Sequence, residues 1–83
     1  MNEKEIYIKI YTYGDKVREK RISKNLTEEY LAELCDISDR SLRYIEAGQV
    51  VPKLDTALKI AGALDMDVGE LNDLIEVMVR VYV

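Results

Sequence analysis

Hydrophobic and polar residues alternate at both ends of the chain. In residues 5–13 three isoleucines occupy every second position, with tyrosine and lysine between them. In residues 75–83 valines and one isoleucine alternate with polar or larger side chains in the same way. A period of two residues is typical of a half-buried β-strand. The pattern predicts an N-terminal strand within residues 1–13 and a C-terminal strand over residues 75–83. Because an unpaired strand leaves its backbone groups without partners, the two would pair with each other or with a second subunit.

Between these segments the apolar residues follow helical spacing, and capping or turn residues mark where each helix begins and ends. Five helices are predicted: residues 15–24, a second from the N-cap Thr27 to near Asp36, a third from Ser38 to Gly48, a fourth over Leu54–Leu64, and a fifth from Asp67 to Leu74. Their predicted inner faces include Leu31, Leu34 and Cys35, then Leu42 and Ile45, then Leu54, Ala57, Leu58, Ala61 and Leu64. Asn25 is expected to end the first helix in a left-handed conformation, and Pro52 stops the third from continuing.

Composition indicates one small domain with little scope for catalysis. The 83 residues are 48% apolar and 34% charged, which is the balance of an ordinary globular domain. The chain has no histidine, so the commonest general base is missing and Cys35 has no histidine to activate it. Its four glycines match no nucleotide-binding loop. No enzymatic activity, cofactor or metal site is therefore expected.

The single cysteine also bears on the compartment. It allows no internal disulfide, which favours a reducing, cytoplasmic environment, and Cys35 itself is expected to be a small core residue. No stretch of the sequence is long and apolar enough to cross a bilayer, so no membrane association is expected.

Charge is distributed unevenly along the chain. The net charge is −4, the wrong overall sign for a typical nucleic-acid-binding protein. Residues 1–43 carry nine basic and nine acidic side chains, whereas residues 44–83 carry three basic and seven acidic ones. Within residues 16–24 there are five basic side chains and one acidic side chain. An anionic partner would therefore be met by the first half of the chain.

Two short helices on either side of a tight turn at residues 36–38 are the local signature of a helix-turn-helix. Residues 14–71 resemble the Cro/Xre, or lambda-repressor-like, DNA-binding domain. The matching positions are Val17-Arg18, Arg21, Leu26-Thr27-Glu28-Glu29, Leu31-Ala32, Ile37-Ser38, Leu42, Ile45-Glu46-Ala47-Gly48, Pro52, Leu58-Lys59-Ile60-Ala61, Ala63-Leu64 and Glu70-Leu71. This resemblance implies a mostly α-helical, five-helix domain over residues 14–74, to which the predicted terminal strands would add a small sheet.

The resemblance further implies that the third helix enters the major groove of double-stranded DNA, where each base pair presents a distinct pattern of donors and acceptors. The residues implied to contact DNA are Thr27, Glu28, Ser38, Asp39, Arg40, Ser41, Arg43, Tyr44 and Gln49. Arg40 and Arg43 would make forked contacts with guanine. The same resemblance implies a largely buried ion pair between Arg21 and Glu46.

Two positions depart from the family's pattern. Glu28 stands where the family usually has glutamine, and residues 49–51 form a neutral loop where it often places basic or amide side chains against phosphates. Each missing phosphate contact is expected to lower the affinity for DNA and the salt dependence of binding. Lys16, Lys20 and Lys24 are candidates to supply replacement contacts.

Several of these residues also have simpler interpretations. Arg40, Arg43 and Tyr44 would equally suit a solvated helix face, and Asp39 suits a partner for the helix dipole better than a base reader. The tyrosines at positions 7, 11 and 13 suit either a stacking platform for single strands or, more simply, the cover of the domain or of a subunit contact.

These features together predict a sequence-specific DNA-binding transcriptional regulator, in the form of a homodimeric repressor joined through its terminal strands. The alternative is a protein-interaction module of antitoxin-like or scaffold type. In that module the acidic second half and the loop at residues 49–51 would bind a protein, and DNA binding would be weak or absent.

Overall fold

Five α-helices and one short 3-10 helix form residues 1–82, which are the residues that the computed structural model describes. The α-helices are α1 (Glu3–Ser23), α2 (Glu28–Leu34), α3 (Asp39–Glu46), α4 (Leu54–Leu64) and α5 (Asn72–Tyr82), and the 3-10 helix covers Gly69–Leu71. Helices α2 and α3 pack together across their turn, α1 packs against α3, and α1 and α5 lie side by side. A mostly α-helical, five-helix fold is therefore confirmed.

The N-terminal strand predicted from alternating isoleucines is wrong, because residues 5–13 lie within α1. Ile10, Tyr13 and Val17 are buried at intervals of three and four residues, the spacing that places side chains on one face of a helix. Ile8 belongs to the same alternating series but is 54% exposed. Burial therefore follows the helical period in this segment, and the alternation carries no structural information.

The C-terminal strand predicted over residues 75–83 is wrong for the same reason. All of its described residues lie in α5, where Leu74 and Val77 are buried and Val79 is 54% exposed. Val83 lies outside the described residues. Since neither segment is extended, the small sheet and the strand contact predicted between subunits are both absent from the described part of the chain.

Three leucines predicted to lie inside are exposed. Leu34, Leu54 and Leu58 expose 51%, 59% and 56% of their surface. Ala32 and Ile60 are buried on those two helices instead. In both helices the buried face is rotated relative to the face predicted from the apolar residues.

The predicted caps at the start of α2 and α3 are confirmed. The side chain of Thr27 accepts a hydrogen bond from the Tyr30 N–H at 3.0 Å, and that of Ser38 accepts one from the Ser41 N–H at 3.0 Å. Asn25, with φ at 58°, is the left-handed residue in the turn after α1. These bonds satisfy N–H groups that a helix start leaves without partners, so they fix where the two helices of the motif begin.

The predicted capping box at residues 67–70 is also present. The Asp67 N–H donates to Glu70 at 3.1 Å, and the Glu70 N–H donates to Asp67 at 2.9 Å. It opens the 3-10 helix and not a helix ending at Leu74, because α5 continues to Tyr82. Helix α1 likewise begins before residue 14, so both helices extend beyond the predicted 14–74 domain.

Helix α1 passes α3 so closely at Gly14 that no side chain fits there. A Cβ atom at Gly14 would lie 2.8 Å from the carbonyl oxygen of Glu46 and closer still to that of Ile45. Gly48, with φ at 72°, approaches α1 in the same way, since its Cβ would lie 2.8 Å from the Cα of Tyr11. The end of α3 is therefore held against the backbone of α1.

The core contains one hydroxyl group without a partner. Tyr13 is 1% exposed, and its Oη has no hydrogen-bond partner within the described chain. Burial, reinforced by the nearby Cys35, raises the pKa of Tyr13 far above its ordinary value of 10.0. Because the folded protein releases this proton less readily than the unfolded chain, the free energy of unfolding falls as the pH rises above the unfolded tyrosine pKa.

We expect Gly14→Ala to destabilise the fold by about 1 to 3 kcal/mol, because backbone atoms of α3 must move to admit the methyl group. Gly62→Ala in α4 is the matched control. No atom lies within 4 Å of its Cβ position, so this change should stabilise the helix by roughly 0.5 to 1 kcal/mol. Urea unfolding at pH 7 measures both, and equal stability of the two variants would contradict the close packing of α1 on α3.

We expect Tyr13→Phe to keep or raise the stability at pH 7, because it removes a buried hydroxyl that has no partner. It should also reduce the stability lost as the pH rises through the unfolded tyrosine pKa of 10.0. Tyr11→Phe, at a side chain that is 61% exposed, is the control and should change neither property. Urea unfolding between pH 7 and pH values above the tyrosine pKa measures both effects. Marked destabilisation of Tyr13→Phe at pH 7 would mean that the hydroxyl has a partner.

Candidate nucleic-acid interface

The outward ridge of α3 is formed by Arg40 and Tyr44, one helical turn apart. An Arg40 Nη donates to the Tyr44 hydroxyl at 3.2 Å, and the guanidinium carbon lies 5.5 Å from the centre of the tyrosine ring. Leu42, Ile45 and Glu46 form the opposite, buried face. The helix therefore presents a guanidinium and an aromatic ring as one exposed unit.

The first turn of α3 is occupied by local contacts. Asp39 lies 3.6 Å from Arg43 and accepts a hydrogen bond from the Arg40 N–H at 3.1 Å. Ser38 caps the helix and also donates from its hydroxyl to that of Ser41 at 2.9 Å. This geometry agrees with Asp39 as a partner of the start of α3. Arg43 is exposed, and its contact with Asp39 at 3.6 Å is a weak, solvent-exposed ion pair.

A bidentate ion pair ties α3 to α1. The Arg21 Nε donates to one carboxylate oxygen of Glu46 at 2.8 Å, and an Nη donates to the other at 3.0 Å. A further Nη of Arg21 donates to the Leu26 carbonyl oxygen at 2.9 Å, across the turn before α2. Glu46 is 6% exposed, and its hydrogen bonds raise the pKa of Arg21. The ion pair implied by the family resemblance is confirmed, and it fixes the angle of α3.

The two flanks of α3 differ in character. One flank is a charged cleft of about 320 Å³, lined by Arg18, Arg21, Glu28, Arg43, Glu46 and Ala47. The other is a mainly apolar depression of about 320 Å³, lined by Ile37, Ser41, Tyr44, Ile45, Val50, Pro52, Lys53 and Thr56. Glu28 thus lies beside α3, in a cleft that three arginines also line.

The remaining predicted contact residues, Gln49 and Thr27, lie at the end of α3 and at the start of α2. Gln49 is exposed, and its backbone N–H donates to the Tyr44 carbonyl at 2.9 Å, which closes the end of α3. Thr27 is exposed at the start of α2, with its side-chain oxygen already accepting from the Tyr30 N–H. Val50 of the following loop is 42% exposed. Gln49 and Val50 therefore border α3, whereas the Thr27 side chain caps α2.

The lysines proposed to compensate for the neutral loop are directed elsewhere. Lys20 binds Glu70 at 3.0 Å and Lys24 binds Asp65 at 2.8 Å. Each lysine lowers the pKa of its carboxylate partner. Lys16 lines a cleft with Thr12, Tyr13, Gly69, Glu70 and Asp73. The structure therefore does not support these lysines as DNA contacts, because they lie next to acidic residues of the second half of the chain.

Sequence reasoning did not single out Arg18 as a contact residue. Arg18 and Lys20 project from opposite sides of α1, because two residues along a helix turn a side chain through about 200°. Arg18 is exposed and lies in the charged cleft beside α3. Both residues lie in the helix predicted over residues 15–24, so its helical phase was sufficient to place Arg18 and Lys20 on different sides.

Positive charge is concentrated around α3 despite the net charge of −4. Around its outward face and flanks, apart from the paired Arg21 and Glu46, the cationic side chains outnumber the anionic ones. The cations are Arg18, Arg40, Arg43 and Lys53, and the anions are Glu28 and Asp39.

Comparison with known protein families agrees with this geometry. Residues 17–71 match the family described as Helix-turn-helix, which covers more than half of the chain. The chain belongs to the Cro/C1-type helix-turn-helix family, a DNA-binding family. Searches of curated proteins and of solved structures gave no match. Among the described residues, no helix has both the length and the apolar character needed to cross a membrane.

We expect Glu46→Leu to destabilise the fold by about 3 to 5 kcal/mol, because it leaves the largely buried Arg21 without its counter-ion. The double variant Arg21→Met with Glu46→Leu should lose much less than the sum of the single changes. Lys24→Ala, which breaks an exposed ion pair, is the control and should change stability little. Chemical unfolding of all variants measures the coupling, and strictly additive losses would contradict it.

Proposed function

We propose that the protein is a sequence-specific regulator of transcription that binds double-stranded DNA as a homodimer and acts as a repressor. The observation that carries the proposal is the exposed face of α3. That face displays Arg40, Tyr44 and Arg43 on a helix whose buried side is held against α1 by a bidentate ion pair. A rigid helix with exposed arginines suits the major groove, where guanine offers two adjacent acceptors.

The proposed contact set is the one expected from the sequence, with different roles inside it. Arg40 and Arg43 are proposed as base readers, and Ser41, Tyr44 and Gln49 as neighbours that contact bases or backbone. Thr27, Ser38 and Asp39 are proposed to act mainly by fixing the helix starts, since their side-chain oxygens accept backbone hydrogen bonds. Glu28 would oppose a nearby phosphate.

Homodimer formation is proposed through α5 in place of the strands. Ile75 and Val79, which are 40% and 54% exposed, form an apolar stripe along α5. Met1 lines a surface depression together with these two residues. An antiparallel pair of α5 helices would bury both stripes. A homodimer would then read half-sites about 34 Å apart.

Repression is proposed because occupancy of a site blocks other proteins without any further activity. A protein-interaction module is the second candidate, favoured by the exposed Leu54 and Leu58 on α4. The acidity of residues 44–83 no longer favours it. Asp65, Glu70, Asp73 and Glu76 bind lysines of α1 at 2.8 to 3.1 Å. The cytoplasmic location inferred from the cysteine content stays a prediction.

Selection of bound duplexes from a random pool tests the proposal, followed by affinity measurements on the selected site and on random DNA. Arg43→Ala should cost about 1 to 3 kcal/mol on the selected site and much less on random duplex. Lys24→Ala removes the same charge from a side chain paired with Asp65 and is the matched control. Equal losses for Arg43→Ala on both duplexes would refute base reading. A wild-type chain that enriches no sequence but captures one protein would favour the second candidate.

A further inference from the structure

The charged cleft between α1, α2 and α3 contains arginines in two different states. The Arg21 guanidinium already donates two hydrogen bonds to Glu46 and one to the Leu26 carbonyl oxygen. Arg18 has no carboxylate within ion-pair distance in residues 1–82, and Arg43 has only the 3.6 Å contact with Asp39. The cleft therefore offers two guanidinium groups that are available to an anion.

The position of Arg18 contrasts with that of the other cations of α1. Lys9, Lys20 and Lys24 are each paired with one or more carboxylates on the side of α1 that meets α5 and the end of α4. Arg18 projects from the opposite side of the helix and is exposed beside α3. Together with Arg21, which is already paired with Glu46, Arg18 is the α1 cation that lines the cleft beside α3.

The two flanks of a helix in the major groove face the two sugar-phosphate backbones. On the far flank the depression beside Val50 and Pro52 is mainly apolar, and Lys53 is the one charged side chain in its lining. On the near flank Arg18 and Arg43 line the cleft. A guanidinium group matches a phosphate with two parallel hydrogen bonds and keeps its charge at all relevant pH values.

We propose that Arg18 binds a backbone phosphate of the DNA in this cleft and thereby positions α3 in the major groove. This assignment rests on the proposed DNA-binding function. Arg18 acts as a positioning residue that reads no base, and Glu28 in the same cleft weakens the attraction for the phosphate.

The test is the salt dependence of binding for Arg18→Ala and for its matched control, Lys16→Ala. Both changes remove one positive charge from the same helix, two residues apart and on opposite sides. Arg18→Ala should reduce the magnitude of the slope of log K against log salt by about 0.9, the value for one phosphate contact. It should weaken binding by about tenfold at low salt, to the same degree on selected and random duplexes.

The control should leave the slope unchanged, and Arg18→Lys should retain most of it because the positive charge remains. Thermal unfolding of each variant confirms that the fold is intact. Equal slopes for Arg18→Ala and Lys16→Ala, with binding by the wild-type chain, would overturn the assignment of Arg18 alone. A loss confined to the selected duplex would also overturn it, because Arg18 would then read bases. Failure of the wild-type chain to bind any duplex at low salt would overturn the proposed function itself.

Discussion

The attachment of α3 to α1 is the constraint on which the rest of the structure depends. Arg21 and Glu46 join the two helices with two short hydrogen bonds in a nearly buried setting, and Gly14 lets their backbones come into direct contact nearby. A helix of only eight residues has little stability of its own. Helix α3 is therefore held in place by this attachment and by the packing of Leu42 in the hydrophobic core. The outward face of α3 is rigid because its inward face is fixed.

The cations of helix α1 differ in whether they pair with acidic residues of this chain. Its lysines neutralise the acidic residues that follow α4, whereas Arg18 is left beside α3. A chain with a net charge of −4 can thereby keep a locally positive face. Exposed ion pairs of this kind contribute little stability, so their main effect is on where positive charge remains available.

The sequence predicts those parts of the fold whose chemistry is local. Thr27 and Ser38 each cap an N–H only three residues away, so the two helices of the motif are predictable from short segments. Helices α1 and α5 are not predictable from short segments, because alternating isoleucines and valines suit a strand equally well. The packing of α1 against α5 decides that both segments are helical. The site was predicted as a face of α3, but which side of α1 meets α3 and which side meets the acidic residues depends on tertiary packing, so Arg18 was not singled out.

The central claim is that the Arg40–Arg43 face of α3 lies in the major groove of duplex DNA. Protection of guanine N7 from dimethyl sulfate on a selected duplex tests it most directly, since N7 is exposed only in the major groove. Guanine N7 protection in two clusters about one helical turn apart is the expected result. Protection of adenine N3 in the minor groove without any effect at guanine N7 would contradict the claim.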